Sequence, residues 1–224
     1  MYAKFFKRLI DFVLSVTALI VLSPVLLVLT VVGAIAMKGN PFFLQPRPGK
    51  KGKDGKEKIF MLIKFRTMSN AKDKDGKLLP DDQRLGKYGA WLRSTSLDEL
   101  PELANIAVAN MSIVGPRPLL VKYLPLYNSE QRHRHDVRPG LTGYAQAHGR
   151  NAVSWEDKFA MDVWYTRNVS FKVDVGIFFD TIKAVLKHEG ISGEGSATMT
   201  EFMGSPEPSS AETVTTTTVS SVQM

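Results

Sequence analysis

Residues 12–37 read FVLSVTALIVLSPVLLVLTVVGAIAM, an apolar run without one charged side chain, interrupted near its middle by Ser23 and Pro24. A run of roughly 18 or more apolar residues is long enough for a membrane helix and too long for an ordinary core helix. At about 1.5 Å per residue this one reaches about 39 Å, past the roughly 30 Å hydrocarbon core. A cleaved signal peptide fits Lys4, Lys7 and Arg8 as a basic n-region and Ala34-Ile35-Ala36 as a cleavage motif. The run is far longer than the roughly 7–15 residues of an h-region, however. That leaves a spanning helix and a re-entrant helix that enters and leaves by one face. Lys4, Lys7 and Arg8 precede the run, and Lys38, Arg47, Lys50, Lys51, Lys53 and Lys56 follow it. Positive flanks draw both ends to the cytoplasmic side. Pro24 removes a backbone donor and crowds the Ile20 carbonyl, and Ser23 can hydrogen-bond a carbonyl freed there. Each half, about 18–20 Å long, enters one leaflet without crossing. A kinked spanning helix remains equally compatible with these residues.

Outward from the run the composition is polar and basic. The net charge is +7 with pI ≈ 9.5, which favours anionic partners. Cysteine is absent, so disulfide frameworks and cysteine-ligated metals are excluded. Residues 38–58 read as a basic loop at the membrane surface, and such clusters bind anionic lipid. Residues 59–63, IFMLI, read as a short buried strand. If the strand continues, Lys64 and Arg66 share one face and suit a phosphate. Residues 69–89 are turn-rich; their DKDG lacks the closing glutamate of a calcium loop.

RSTSLDELPEL, residues 93–103, carries a capping-box pattern with Ser96 as N-cap and Glu99 three residues on. Pro101 disturbs that reading, because it lies one turn into the helix. Arg93 just before the cap and the stiff GPRP turn at 115–118, with Arg117, surround Asp98 and Glu99 with cations. An acidic pair among cations suits magnesium and a diphosphate, since magnesium takes one or two carboxylates plus phosphate oxygens. Residues 119–131 read as a helix. His133 and His135 lack a third ligand nearby, so a zinc site is not expected and solvated or phosphate-contacting side chains are. RPGLTGY, residues 138–144, is a glycine-punctuated loop or strand leading to Gln146, Gly149 and Arg150. Two helices follow. The first, 154–168, has Ser154 at its cap. The second, 171–188, presents Val175, Phe178, Phe179, Ile182, Val185 and Leu186 on a face that belongs to the core or to a membrane interface, with core the default. From about residue 190 a Gly/Ser/Thr-rich stretch reads as disordered or weakly ordered.

Ser23-Pro24, KFRTM at 64–68, RSTSLDELPEL at 93–103, GPRP at 115–118 and RPGLTG at 138–143 together resemble a small monotopic phosphoglycosyl transferase of the bacterial sugar-transferase superfamily. The resemblance runs from Phe6 to about His188. It implies a mainly α chain with a small β element (α+β): a re-entrant membrane helix at 1–37 broken at Ser23-Pro24, a catalytic domain at 38–189 on the membrane surface, and a tail at 190–224. It also implies transfer of a sugar 1-phosphate from a UDP-sugar to polyprenyl phosphate, with UMP released. Asp98 matches the family's nucleophile, and Glu99 its paired acid and magnesium ligand. Arg93, Lys64, Arg66 and Arg117 are the implied phosphate contacts; Arg138, Gln146 and Arg150 are placed at the nucleotide-sugar end. Mg2+ is the expected cofactor, and inner-membrane lipid rather than nucleic acid the expected surroundings, on the cytoplasmic face of a bacterial inner membrane. Likeness to the minimal members suggests an acetamido sugar such as N,N′-diacetylbacillosamine, with a hexose as alternative. The reading from another class is a single-span protein with a basic domain that binds anionic lipid or nucleic acid without catalysis.

Overall fold

The computed structural model describes residues 1–149, 153–186 and 201–207. The chain opens with a π-helical turn, Tyr2–Phe6, and continues as helices α1 (Lys7–Val21) and α2 (Ser23–Ala36). These two meet at an angle of 64°. The bend lies where the sequence places it. Pro24 falls in the first turn of α2, where its missing N–H costs nothing, and Ser23 Oγ donates to the Ile20 carbonyl at 2.8 Å. No single described helix is long and apolar enough to cross a membrane; the bent pair passes that test only jointly.

A β-hairpin follows, β1 (Phe42–Lys51) antiparallel to β2 (Glu57–Phe65). This corrects the expectation of a surface loop over 38–58. Pro46 and Pro48 concealed the strand. In an antiparallel pair only alternate residues send their N–H to the partner, so two prolines two apart spare the other donors. The expected short buried strand at 59–63 is longer and only half buried: Phe60, Leu62 and Phe65 are in the core, while Ile59 and Met61 are exposed. Two short helices, α3 (Asp81–Arg84) and α4 (Lys87–Ser94), lead to α5 (Glu102–Ala107) and the short strand β3 (Ser112–Val114). Strand β4 (Gly140–Thr142) runs parallel to β3. Glycine is needed where they meet, because a Cβ on Gly140 would lie 2.1 Å from the Gly115 nitrogen. These glycines serve close contact between backbones. The helix expected at 119–131 is instead two 3-10 segments, Val121–Leu126 and Gln131–His135, with Pro125 inside the first. The last elements are α6 (Tyr144–His148), α7 (Trp155–Arg167) and α8 (Phe171–Leu186). Ser154 caps α7 as read from sequence, accepting from the Asp157 N–H at 3.1 Å.

Both arms of the bent helix pack on the body. Ala18, Leu19 and Leu22 lie on Phe60, Leu62, Leu103, Ile106 and Met111. Leu26 and Leu29 lie with Phe65 and Leu92. The entry of α1 is held by polar contacts. Arg8 donates to the Ile106 and Ala107 carbonyls, at 2.7 and 2.6 Å, at the C-terminus of α5. Buried Asp11 accepts from Ser112 Oγ at 2.6 Å and from the Ile113 N–H at 3.1 Å. The outer faces, with Ile20, Val21, Leu27, Val28, Val31 and Ile35, stay exposed.

On α8 the buried stripe is Asp174, Ile177 and Ala184, while Phe178, Phe179 and Ile182 are exposed. The default reading of that face as core is therefore corrected for these three; Val175 is half-buried, and the side chains of Val185 and Leu186 lie outside the described residues. Asp174 turns the helix, because it accepts from Tyr165 Oη at 2.7 Å and pairs with Lys7 at 2.7 Å. Of the tail expected from residue 190, 190–200 and 208–224 lie outside the described residues. Residues 201–207 are docked: Phe202 is 2% exposed among Tyr123, Tyr127, Trp155 and Phe159. Ser129 donates to Glu207, and Asn128 donates to the Pro206 carbonyl.

Candidate active site

The site forms where the chain turns from α4 into α5. Ser96 is left-handed at φ 55, a conformation that costs a non-glycine residue roughly 1–2 kcal/mol. Leu97–Glu99 is a single 3-10 turn, and Pro101 stands at the N-cap of α5, where no donor is required. The expected capping box is absent. A left-handed Ser96 cannot cap, and its side chain makes no cap bond. Glu99 is taken instead by two cations: its Oε1 lies 2.7 Å from Lys64 Nζ and 2.6 Å from Arg117 Nη2. Lys64 also reaches Glu102 Oε1 at 3.0 Å. A strand (β2), a turn and the GPRP segment therefore converge on one carboxylate.

This arrangement separates three acids. Burial alone would raise Glu99, but Arg117 and Lys64 outweigh it and hold the carboxyl well below its ordinary range. Glu102 is pushed up to about 7, by burial first and by the neighbouring Glu99, against the pull of Lys64. Asp98 is raised by burial and by Glu99; Lys64, Arg117 and Arg93 oppose. Asp98 is half-buried and has no side-chain hydrogen bond or ion pair among the described residues. Ser96 and Glu99, on either side of it in the chain, line a cavity of ≈ 530 Å³. Arg93 stands at the mouth, its Nε donating to Thr67 Oγ1 at 3.1 Å. The cavity lining also includes apolar Leu141, Phe178 and Ile182 and the charged Arg134, Lys158 and Asp162.

The family model for bacterial sugar transferases matches residues 2–188. The chain belongs to the bacterial sugar transferase family. This sugar transferase is 46% identical over 204 residues to the uncharacterized sugar transferase EpsL of Bacillus subtilis, covering 91% of this chain and 98% of that one. It is 38% identical over 188 residues to the UDP-glucose:undecaprenyl-phosphate glucose-1-phosphate transferase of Klebsiella pneumoniae, covering 79% of this chain and 39% of that one. Against the undecaprenyl-phosphate galactose phosphotransferase of Salmonella typhimurium it is 34% identical over 207 residues, covering 84% of this chain and 42% of that one. It thus spans nearly all of the first relative and well under half of the other two. Family membership makes the chain a transferase and sets aside the reading as a non-catalytic binding domain.

The structure brings Arg93, Lys64, Arg117 and Glu99 together beside Asp98. Gln146 lines the same cavity, its Nε2 donating to the Leu141 carbonyl at 3.1 Å and its Oε1 buried without a partner. Two expected contacts lie elsewhere. Strand β2 ends at Phe65, so Arg66 does not share the face of Lys64 but donates from Nε to the Met68 carbonyl at 3.0 Å. Arg138 donates to the Ala109 carbonyl at 2.9 Å, closing the turn after α5, and lines neither of the two cavities. Arg150 lies outside the described residues.

Sequence reasoning missed Glu102, which is 3% exposed, and the buried pair of Arg134 with Asp162 at 2.7 Å. The run QRHRH concealed the latter. Arg134 reads there as one more solvated cation, yet it is enclosed by Tyr127 and Phe159 and donates to the Arg117 carbonyl at 2.8 Å. His135 is likewise buried rather than solvated, and its burial lowers it to about 3.

No group of three or more His, Asp or Glu forms a metal cage among the described residues. The donor set still suits magnesium, which needs few carboxylates when a phosphate supplies the rest. Glu99 pairs with Lys64 and Arg117 through Oε1, which leaves Oε2 as the carboxylate donor.

Proposed function

We propose that this chain transfers a sugar 1-phosphate from a UDP-sugar to polyprenyl phosphate through a covalent intermediate on Asp98. The observation that carries the reading is the asymmetry of the acidic pair: Glu99 is clamped by Lys64 and Arg117, while Asp98 beside it is unpaired. A nucleophile must be unengaged, and its neighbour must hold the cations that receive the phosphates. In the first half-reaction an Asp98 oxygen bonds to the β-phosphorus. The bond from that phosphorus to the bridging oxygen breaks, and UMP departs with the electron pair. In the second, a phosphate oxygen of the lipid attacks the same phosphorus and the Asp98 carboxylate leaves, giving polyprenyl-diphosphate-sugar. Both nucleophiles are anionic already, so neither attack requires a strong base. Arg93, Lys64 and Arg117 offset the charge on the phosphates. Magnesium held by Glu99 and by the phosphate oxygens would supply further neutralisation of the diphosphate. Names among the relatives carry glucose, galactose and N-acetylgalactosamine, so a hexose and an acetamido sugar both stand as donors for the assay to separate.

The lipid acceptor gives the bent helix its purpose. A 64° bend with both arms packed on one side of the body suits re-entry, with catalysis at the headgroup layer of the cytoplasmic leaflet. The exposed apolar faces of α1 and α2 are the surface that lipid would cover. The assay that tests the function is UMP release from a panel of UDP-sugars with a short polyprenyl phosphate, with and without magnesium. Absence of release from every donor tried would overturn it. Labels at Lys4 and Lys51 test the topology: accessibility from opposite sides would mean a span.

A further inference from the structure

A second cavity, of ≈ 250 Å³, shares Arg117 and Leu119 with the first. Arg47, Lys64 and Arg117 line it, with Glu102 as its acid and Tyr123 and Trp155 among its walls. Lys64 already serves Glu99 and Glu102, and Arg117 serves Glu99. Arg47 is different. Its Nη2 donates to Gln45 Oε1 at 2.6 Å, but its Nε is buried with no partner. Burial, and then repulsion from Arg117, lowers the guanidinium to about 10. A buried donor without an acceptor costs roughly 1–3 kcal/mol, more when charged, so an anion entering here meets a cation already desolvated and poised.

The chemistry of the proposed reaction supplies such an anion. When the β-phosphorus is transferred, the bridging oxygen becomes a terminal oxygen of the α-phosphate, which gains a full negative charge. That charge develops on the side of the transferred phosphorus opposite Asp98. The second cavity meets the first at Arg117 and Leu119, is small beside it, and has aromatic walls against which a base can pack. We propose that this cavity holds the departing nucleoside monophosphate and that Arg47 is the residue dedicated to its phosphate. The proposal rests on the function proposed above and adds a division of labour: Asp98 and Arg93 face the sugar phosphate, Arg47 the leaving group, and Arg117 stands between them.

The test begins with binding of labelled UMP to the full-length protein in lipid nanodiscs, by equilibrium dialysis. Arg47→Gln should weaken UMP about 10-fold or more, the loss of one charge-assisted contact. Arg47→Lys, which keeps the charge, should weaken it less, and inorganic phosphate should displace UMP from the unaltered protein. In kinetics, exchange of labelled UMP into UDP-sugar without acceptor should slow in Arg47→Gln. Transfer from preloaded enzyme to polyprenyl phosphate should keep its rate. Equal UMP affinity in the unaltered protein and in a folded Arg47→Gln would overturn the proposal, as would a defect confined to the acceptor step. Loss of UMP affinity in Arg47→Gln, together with no exchange in the unaltered protein, would uphold the cavity and sink the covalent intermediate instead.

Discussion

Two charge clusters adjoin Arg117, and they are built differently. In the first, Arg134 and Asp162 pair one to one, 2% and 4% exposed at their side chains, with the remaining guanidinium donors on Tyr127 Oη and the Arg117 carbonyl. In the second, Lys64 and Arg117 share Glu99 while Lys64 also holds Glu102, and Asp98 is left out. The first cluster lines the larger cavity too, but each guanidinium nitrogen of Arg134 already has a partner. The second is over-subscribed and open to two cavities, so its charges can redistribute when a phosphate arrives. Satisfaction of partners, more than the number of charges, separates a strut from a site.

The largest expected effect breaks the second cluster. Asp98→Asn should reduce UMP release by about 10⁴-fold with the thermal unfolding midpoint nearly unchanged, since it removes the nucleophile and no contact. Near-normal turnover in that variant would end the reading of Asp98. The next attacks the strut. Arg134→Met should cost about 3–5 kcal/mol in chemical denaturation, because it takes from buried Asp162 its hydrogen-bonded partner. It should also slow turnover in the folded fraction, through the freed Arg117 carbonyl; unaltered turnover per folded molecule would detach the strut from the site.

Phe202→Ala comes third, at about 3 kcal/mol of stability, from the cavity left among Tyr123, Tyr127, Trp155 and Phe159. No loss would mean that the docked segment contributes nothing. The smallest effect sharpens the comparison through pH. Glu102 is pushed up to about 7 from 4.5, so between those values the folded state holds a proton that the unfolded chain has released. Its contribution to stability therefore falls as pH rises through that window. Glu102→Gln should flatten this part of the profile measured by denaturation from pH 4.5 to 7.5. A profile parallel to that of the unaltered protein would show that Lys64 keeps Glu102 ionised throughout.

Local pattern carried much of this. The break at Ser23-Pro24 is legible because its cause, a missing donor and a freed carbonyl, lies within four residues. The cap at Ser154 is equally local. Where a long-range partner decided the outcome, local pattern misled. Ser96 and Glu99 have the spacing of a capping box, but Lys64 and Arg117 outbid the backbone for Glu99. Pro46 and Pro48 look like strand breakers, and only pairing with β2 makes them harmless. Phe178 and Phe179 look like core until Asp174 fixes which face α8 turns inward.

By itself the sequence determined the bent apolar helix, the basic balance and the set of side chains from which the acidic pair and its cations are drawn. Resemblance of its joint motifs gave the family and pointed to Asp98. Only the tertiary structure decided which cation serves which acid. It left Asp98 unpaired, sent Arg66 and Arg138 to backbone carbonyls, buried Arg134, and opened a second cavity at Arg47. The physical reason is range. Backbone preferences act over a turn or two of chain and are written in order. The competition among charges for partners is settled by distances of about 3 Å between segments far apart in sequence, and those distances exist only once the chain has packed.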